Sequence, residues 1–265
     1  MIELGILGPV VLGVDGVDVN LGPTLSVLAL ALLCAQGGFV SITRLGRLLA
    51  EPGRGVTTEQ TVRSHVSHLR KALKDSPGRG QEAKVLISGR AGGTVAYAMR
   101  PEAIDTDAQR FVHLADEGLA ELHEGNYAAA AGLLRSALAL WRGDPLSDAA
   151  DRPFARDWAE HLHDLRRQAT IARVAADVGA GQHSKVVAEF VQMAREWPDD
   201  ENVSALLAIA RYRSGQPRSA AAAASDAIRA AQAHGMDSPR LHALQREVLN
   251  GTLPESGLPH TLWAH

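Results

Sequence analysis

Gly181 and Gly215 stand 34 residues apart, and each opens the same run of small and apolar side chains. The first run is Gly181, His183, Val186, Phe190 and Met193; the second is Gly215, Pro217, Ala220, Ala224 and Ala227. Gly125 opens a third, with Tyr127, Ala130, Leu134 and Ala137 at the same offsets. Apolar positions at helical spacing behind a turn glycine, repeated at this period, describe a helix–turn–helix unit that buries its face only against its neighbours. Most of the chain is therefore expected to be a helical array. Such arrays bind partners and seldom carry chemistry, which moves the search for function to residues 1–100.

Charge singles out the same region. Residues 1–100 hold eleven Lys or Arg against seven Asp or Glu, whereas the rest of the chain holds sixteen against twenty-three. Seven of those eleven cations fall between Arg63 and Arg90, interrupted only by Asp75 and Glu82. A cluster of this kind is either a solvated face or the footprint of a phosphate-binding surface. At 265 residues and 46% hydrophobic the chain can bury a substantial core. The longest apolar run, Leu25 to Ala35, is too short to cross a bilayer, and Met1 to Pro9 lacks the basic start of a signal peptide, so a cytoplasmic location is expected. Cys34 is the single cysteine, which leaves no disulfide framework and no cysteine metal site.

Local patterns divide residues 1–100 into strands, three helices and a hairpin. Ile2 to Leu21 reads as three short strands, with Asp15-Gly16 supplying the positive φ of a tight turn. Pro23 suits the first turn of a helix through LSVLALALLCAQ, ended by Gly37-Gly38. Ser41 can cap a second helix whose Ile42, Leu45, Leu48 and Leu49 point inward. A third helix is expected from a capping box at Thr57 and Gln60 to about Asp75. Its Val62, Val66, Leu69 and Leu73 form one stripe, which at about 100° per residue puts Gln60, Arg63, Ser64, Ser67, Lys71 and Lys74 on the far side and Arg70 on the flank. No acid is expected on that outer face. Arg, Gln and Ser can address base edges, and Lys can reach a phosphate. After a polar loop from Ser76 to Glu82, the strands KVLIS and VAYAM are expected around a Gly89–Thr94 loop, a wing whose Arg90 and Thr94 can approach a groove or a phosphate.

His65 and His68 lie three apart on the third helix and His161 and His163 two apart later on, without a third ligand at metal spacing, so no metal site is expected. Nucleophile elbows, zinc-protease helices and P-loops are absent from the sequence, which argues against an enzyme.

Together these features resemble the Streptomyces antibiotic regulatory protein family in its small form. The resemblance rests on Leu7-Gly8-Pro9, on Val66-Ser67-His68-Leu69-Arg70-Lys71-Ala72-Leu73, on Asp107 with Phe111, and on Leu140-Trp141-Arg142-Gly143-Asp144-Pro145-Leu146. Arg211-Tyr212-Arg213-Ser214-Gly215 and Leu241-His242-Ala243-Leu244 also fit it. It implies a chain that is mainly α with small β elements: an OmpR-type winged helix at 1–100, a bacterial transcriptional activation domain of tetratricopeptide-like repeats at 105–252, and a loosely ordered tail at 253–265. It further implies an activator of secondary-metabolite genes that binds direct repeats in double-stranded promoter DNA, with a second protomer on the adjacent repeat, and recruits RNA polymerase holoenzyme. The third helix would then be the recognition helix, with Gln60, Arg63, Ser64 and Ser67 at bases and Arg70, Lys71, Lys74 and Arg90 on phosphates, Arg90 to Thr94 the wing, and Glu51, Pro52 and Arg54 in the loop that meets polymerase. A stand-alone regulator without ATP, other cofactor or membrane contact is implied. The sequence departs from the family at Thr24-Leu25-Ser26, where basic and glutamine residues are usual, at Leu49-Ala50 in place of an aromatic, and at Ala96-Tyr97 in place of Gly-Tyr. Two other readings use the same residues: a repeat domain that binds a protein or ligand beside a weak winged helix, and a repressor that acts by occlusion.

Overall fold

The computed structural model describes residues 2–50, 55–74 and 85–258. The chain divides into two compact units, Met1–His113 with Ala139–Arg166, and Leu114–Leu138 with Arg167–His265.

In the first unit, strands β1 (Ile2–Gly5), β2 (Val11–Val14) and β3 (Val17–Val19) form a meander. Asp15 and Gly16 make the β2–β3 turn with φ of 50° and 81°, as the Asp-Gly pair predicts for a two-residue hairpin. The sheet has a fourth strand that has no counterpart in the sequence reading: β7 (Asp105–Thr106) pairs parallel to β1, giving the order β3-β2-β1-β7. Two residues carry too little periodicity to announce a strand, and their pairing depends on a segment a hundred positions away.

Helix α1 (Gly22–Cys34) carries Pro23 in its first turn and is buried on every side from Ser26 to Leu33, so it is the axis of this unit. It ends at Cys34, with Gln36 and Gly37 both at positive φ just beyond. Ser41 caps α2 (Ile42–Leu48) by accepting from the Arg44 N–H. A three-stranded sheet follows the order β4-β6-β5, from β4 (Val40–Ser41), β5 (Leu86–Ala91) and β6 (Thr94–Met99). Burial pushes the Cys34 thiol up to about 12. Its thiolate is then scarce at pH 8, and alkylation by iodoacetamide is expected to run at least about a hundredfold slower in the native protein than in guanidinium. Equal rates would place Cys34 in open solvent.

The family motifs at Leu7, Asp107 and Trp141 converge in this same unit. Asp107 opens α4 (Asp107–His123), and its carboxylate accepts from the N–H groups of Ile6 (2.7 Å) and Leu7 (3.1 Å) and from Arg142 Nη2 (2.9 Å). Arg142 in turn donates its backbone N–H to Leu7 O and its guanidinium to Pro9 O, both at 2.7 Å. The Leu146 N–H reaches Ile6 O (2.8 Å) and Asp148 accepts from the Val10 N–H (2.7 Å). Trp141 packs edge-on against Phe111 at 5.3 Å, with the Arg166 guanidinium 4.7 Å over its ring. The Arg-Gly-Asp triplet is thus part of the turn that seats this tryptophan. Gly8 makes the approach possible: at φ 151° its missing Cβ would lie 2.9 Å from Arg142 Cβ. Gly8→Ala is expected to cost about 1–3 kcal/mol through backbone strain and this clash. Unaltered amide exchange at Arg142 and Leu146, whose N–H groups bond Leu7 O and Ile6 O, would show that the Arg142 segment can retreat.

The second unit is helical. It contains most of α4, then α5 (Tyr127–Leu138), the later part of α6 (Pro153–Gly179), α7 (His183–Glu196), α8 (Glu201–Arg213), α9 (Pro217–Ala233) and α10 (Pro239–Asn250). Gly125, Gly181 and Gly215 sit at φ of 79°, 81° and 75°, each two residues before a helix, as the repeat requires. The offset positions Ala130, Leu134, Ala137, Val186, Phe190, Met193, Ala220, Ala224 and Ala227 are all buried. Small residues set the helix spacing: a Cβ on Gly118 would stand 2.6 Å from the Leu134 side chain. Of the tail expected at 253–265, residues 259–265 lie outside the described residues, and 253–258 are tied to the helices. Arg213 donates twice to Pro254 O, Leu253 is buried and the Leu258 N–H meets the Tyr127 hydroxyl. No helix among the described residues is long and apolar enough to cross a membrane.

Candidate nucleic-acid interface

Helix α3 (Glu59–Lys74) is amphipathic as its spacing demands. Val62, Val66, Leu69 and Leu73 are buried, and Gln60, Arg63, Ser64, Ser67 and Lys71 are exposed on the other side. Its cap lies one residue later than expected. Thr58 Oγ1 accepts from the Thr61 N–H at 3.3 Å and the Val62 N–H bonds Thr58 O, so Thr58 rather than Thr57 ends the extended segment. The reason is the preceding chain, because Thr57 N–H is already committed to Gly46 O at 3.0 Å. The carbonyl of Thr57 lies so close to Gly46 that a Cβ there would collide with it.

One acid stands on the flank of that face. Glu59, in the first turn, reaches Arg63 Nη2 at 3.8 Å with both side chains about half exposed. The spacing of four that joins them is visible in the sequence. Pairs this open are worth about 0–1 kcal/mol and are screened by salt, so the Arg63 guanidinium remains available to a stronger acceptor. His65 adds no charge at neutral pH: burial, then the neighbouring His68, holds its imidazole below its ordinary range.

Arg70, expected on a phosphate, is engaged within the protein. Its Nη2 donates to Ser88 Oγ at 2.6 Å, and its guanidinium lies 5.8 Å from the Tyr97 ring centroid. Ser88 and Tyr97 face each other across β5 and β6, so Arg70 spans a cross-strand pair and ties the hairpin to α3. The hairpin also differs from the sequence reading. Its loop is only Gly92-Gly93, with φ of 58° and 79°, because two glycines satisfy the tight turn and let the ladder continue to Ala91 and Thr94. Arg90 is therefore a strand residue paired with Val95, exposed, and on the same face as Ser88, about 7 Å further along the strand. Thr94 donates its hydroxyl to Ala91 O at 2.9 Å. The surface thus combines Gln60, Arg63, Ser64, Ser67 and Lys71 on the helix with Arg90 on the wing, and Arg70 fixes one to the other. The side chain of Lys74 and the loop residues Glu51, Pro52 and Arg54 lie outside the described residues.

The edges of that loop are described. Arg152 Nη1 donates to the carbonyls of Leu48 and Ala50, and Thr57 is bound to Gly46. Sequence reasoning missed Arg152, which had no local pattern to mark it. Among the described residues no cluster of His, Cys, Asp or Glu could hold a metal ion.

A helix presenting polar and basic side chains, packed on a β-hairpin and followed by helical repeats, is the build of a winged-helix transcription regulator. Residues 106–249 match the bacterial transcriptional activator domain, and the chain belongs to the Streptomyces antibiotic regulatory protein family. It is 31% identical over 94% of its length to the regulatory protein AfsR of Streptomyces coelicolor, of which it covers 24%. It is 27% identical over 81% of its length to the regulatory protein DnrI of Streptomyces peucetius, covering 79% of that protein. The fold matches Mycobacterium tuberculosis EmbR, solved in complex with a low affinity phosphopeptide, with a TM-score of 0.79 at 27% identity over 96% of this chain and 66% of the other. The chain spans less than a quarter of the AfsR relatives.

Proposed function

We propose that this regulator binds double-stranded promoter DNA at direct repeats and activates transcription of a secondary-metabolite gene cluster without catalysis or a cofactor. The observation that carries this reading is the exposed Gln60–Lys71 face of α3 joined to the wing through Arg70. Gln60, Arg63, Ser64 and Ser67 would meet base edges in the major groove. Lys71, Lys74, Arg90 and Thr94 would hold phosphates, and Arg70 would position the wing beside them. A domain at 1–100 would bind DNA, and the helical domain at 105–252 would contact holoenzyme together with the Glu51–Arg54 loop, whose first carbonyl neighbour Ala50 is held by Arg152. Two protomers about one helical turn apart would occupy a pair of repeats. The likeness to AfsR and DnrI supports the regulatory role and a cytoplasmic setting.

A mobility-shift titration against promoter fragments of the neighbouring genes and a scrambled control, at two salt concentrations, tests this. Retardation specific to a promoter and sensitive to salt is the expected result. Equal or absent retardation of both fragments would favour a protein-interaction role for the repeats.

A further inference from the structure

The helical unit holds a second charged site, unrelated to α3. A cleft of about 540 Å³ opens between α5, α6 and α7, and its polar lining is Arg135, Arg173, Asp177, Gln182, Lys185 and Glu189. The two carboxylates are already used. Asp177, nearly buried, accepts from both Arg135 and Arg173, and the other Arg173 nitrogen pairs with Glu189. Lys185 is exposed and has no carboxylate partner among the described residues, and the Arg135 side chain is 56% exposed with donors to spare. The backbone adds to this surplus. Lys185 lies in the first turn of α7, which has neither a side-chain cap nor an acid there, so its amide ends contribute positive potential. The opposing carbonyls at the end of α6 are occupied: Asp177 O by the Gln182 N–H and Val178 O by the Gly181 N–H. Residues 101–265 are acidic as a whole, so an unneutralised basic cleft within them stands out.

We propose that this cleft binds an extended, carboxylate-bearing peptide segment of a partner protein, with a Glu or Asp side chain between Lys185 and Arg135. The remaining lining is alanine and valine, which lets a peptide main chain approach closely, and Gln182 can exchange hydrogen bonds with it. No aromatic side chain lines the cleft to stack a nucleobase, which argues against a nucleotide. The site does not depend on DNA binding by α3.

Fluorescence anisotropy of the full chain with labelled hexaglutamate, and with hexaglutamine as control, tests the proposal. Hexaglutamate should bind saturably and hexaglutamine should not. Lys185→Glu should weaken hexaglutamate at least tenfold while keeping the wild-type circular dichroism and DNA retardation. Lys71→Glu, which reverses charge on α3, should leave hexaglutamate binding within twofold. Absence of saturable binding, loss through Lys71→Glu instead of Lys185→Glu, or full displacement by inorganic phosphate at matched anion concentration would each overturn it.

Discussion

Replacing Asp107 with alanine is expected to destabilise the first unit by about 2–6 kcal/mol, mostly through the backbone donors it serves. The carboxylate is buried and serves three donors at once: the Ile6 and Leu7 N–H groups and the Arg142 guanidinium. Alanine leaves two buried backbone donors unsatisfied, each at a cost of about 1–3 kcal/mol, and frees a guanidinium that also bridges to Pro9 O. Asp107→Asn keeps the shape and one acceptor oxygen and should lose less. Because the chain has two units, a single unfolding midpoint is a poor reporter. Amide exchange at Ile6 and Leu7 reads the latch directly, and Asp116→Ala, exposed on the same helix, serves as the control. If exchange at both amides were unchanged in Asp107→Ala, the network would be incidental to the fold.

The second large effect concerns DNA. Arg63→Ala combined with Lys71→Ala should abolish specific retardation of a promoter fragment. The two changes should differ in kind when made singly. Lys71→Ala removes a phosphate contact, weakening all sequences alike and lowering the log–log salt slope by about one. Arg63→Ala should cost about 1–3 kcal/mol and relax the preference at one base pair, provided its fork reaches a base in a bidentate manner. Glu59 enters here as well: it neutralises Arg63 in the free protein, so Glu59→Gln should tighten binding at low salt and have little effect at high salt. Equal affinity and equal preference in the double variant would mean that α3 does not lie in the groove as proposed.

Arg70 would respond differently from either residue. Its partners are Ser88 and Tyr97 of the hairpin, so its removal acts first on where the wing stands. The Ala96-Tyr97 pair, in place of the family's Gly-Tyr, retains the aromatic on which that contact depends.

Short-range physics made much of this protein legible in its sequence. The three glycine-led repeats were readable because a turn at positive φ followed by apolar positions at helical spacing depends on residues within a dozen places of one another. The same holds for the Asp15-Gly16 turn, the Ser41 cap and the buried stripe of α3. Glu59 was within reach on this ground too, four residues from Arg63. The motifs at Leu7, Asp107 and Trp141 were each visible, but that one carboxylate joins the first to Arg142 was not. A hydrogen bond across about a hundred positions leaves no periodicity, and any buried acceptor could have taken the role. Only the packing of the first unit chose Asp107 for Ile6 and Leu7, gave β1 a parallel neighbour and set Arg152 on the carbonyls of Leu48 and Ala50, and only the packing of the second left Lys185 without a carboxylate partner among the described residues. Local pattern determines which elements form and which face is apolar; which polar groups meet is decided when those faces are brought together and every buried donor must find an acceptor.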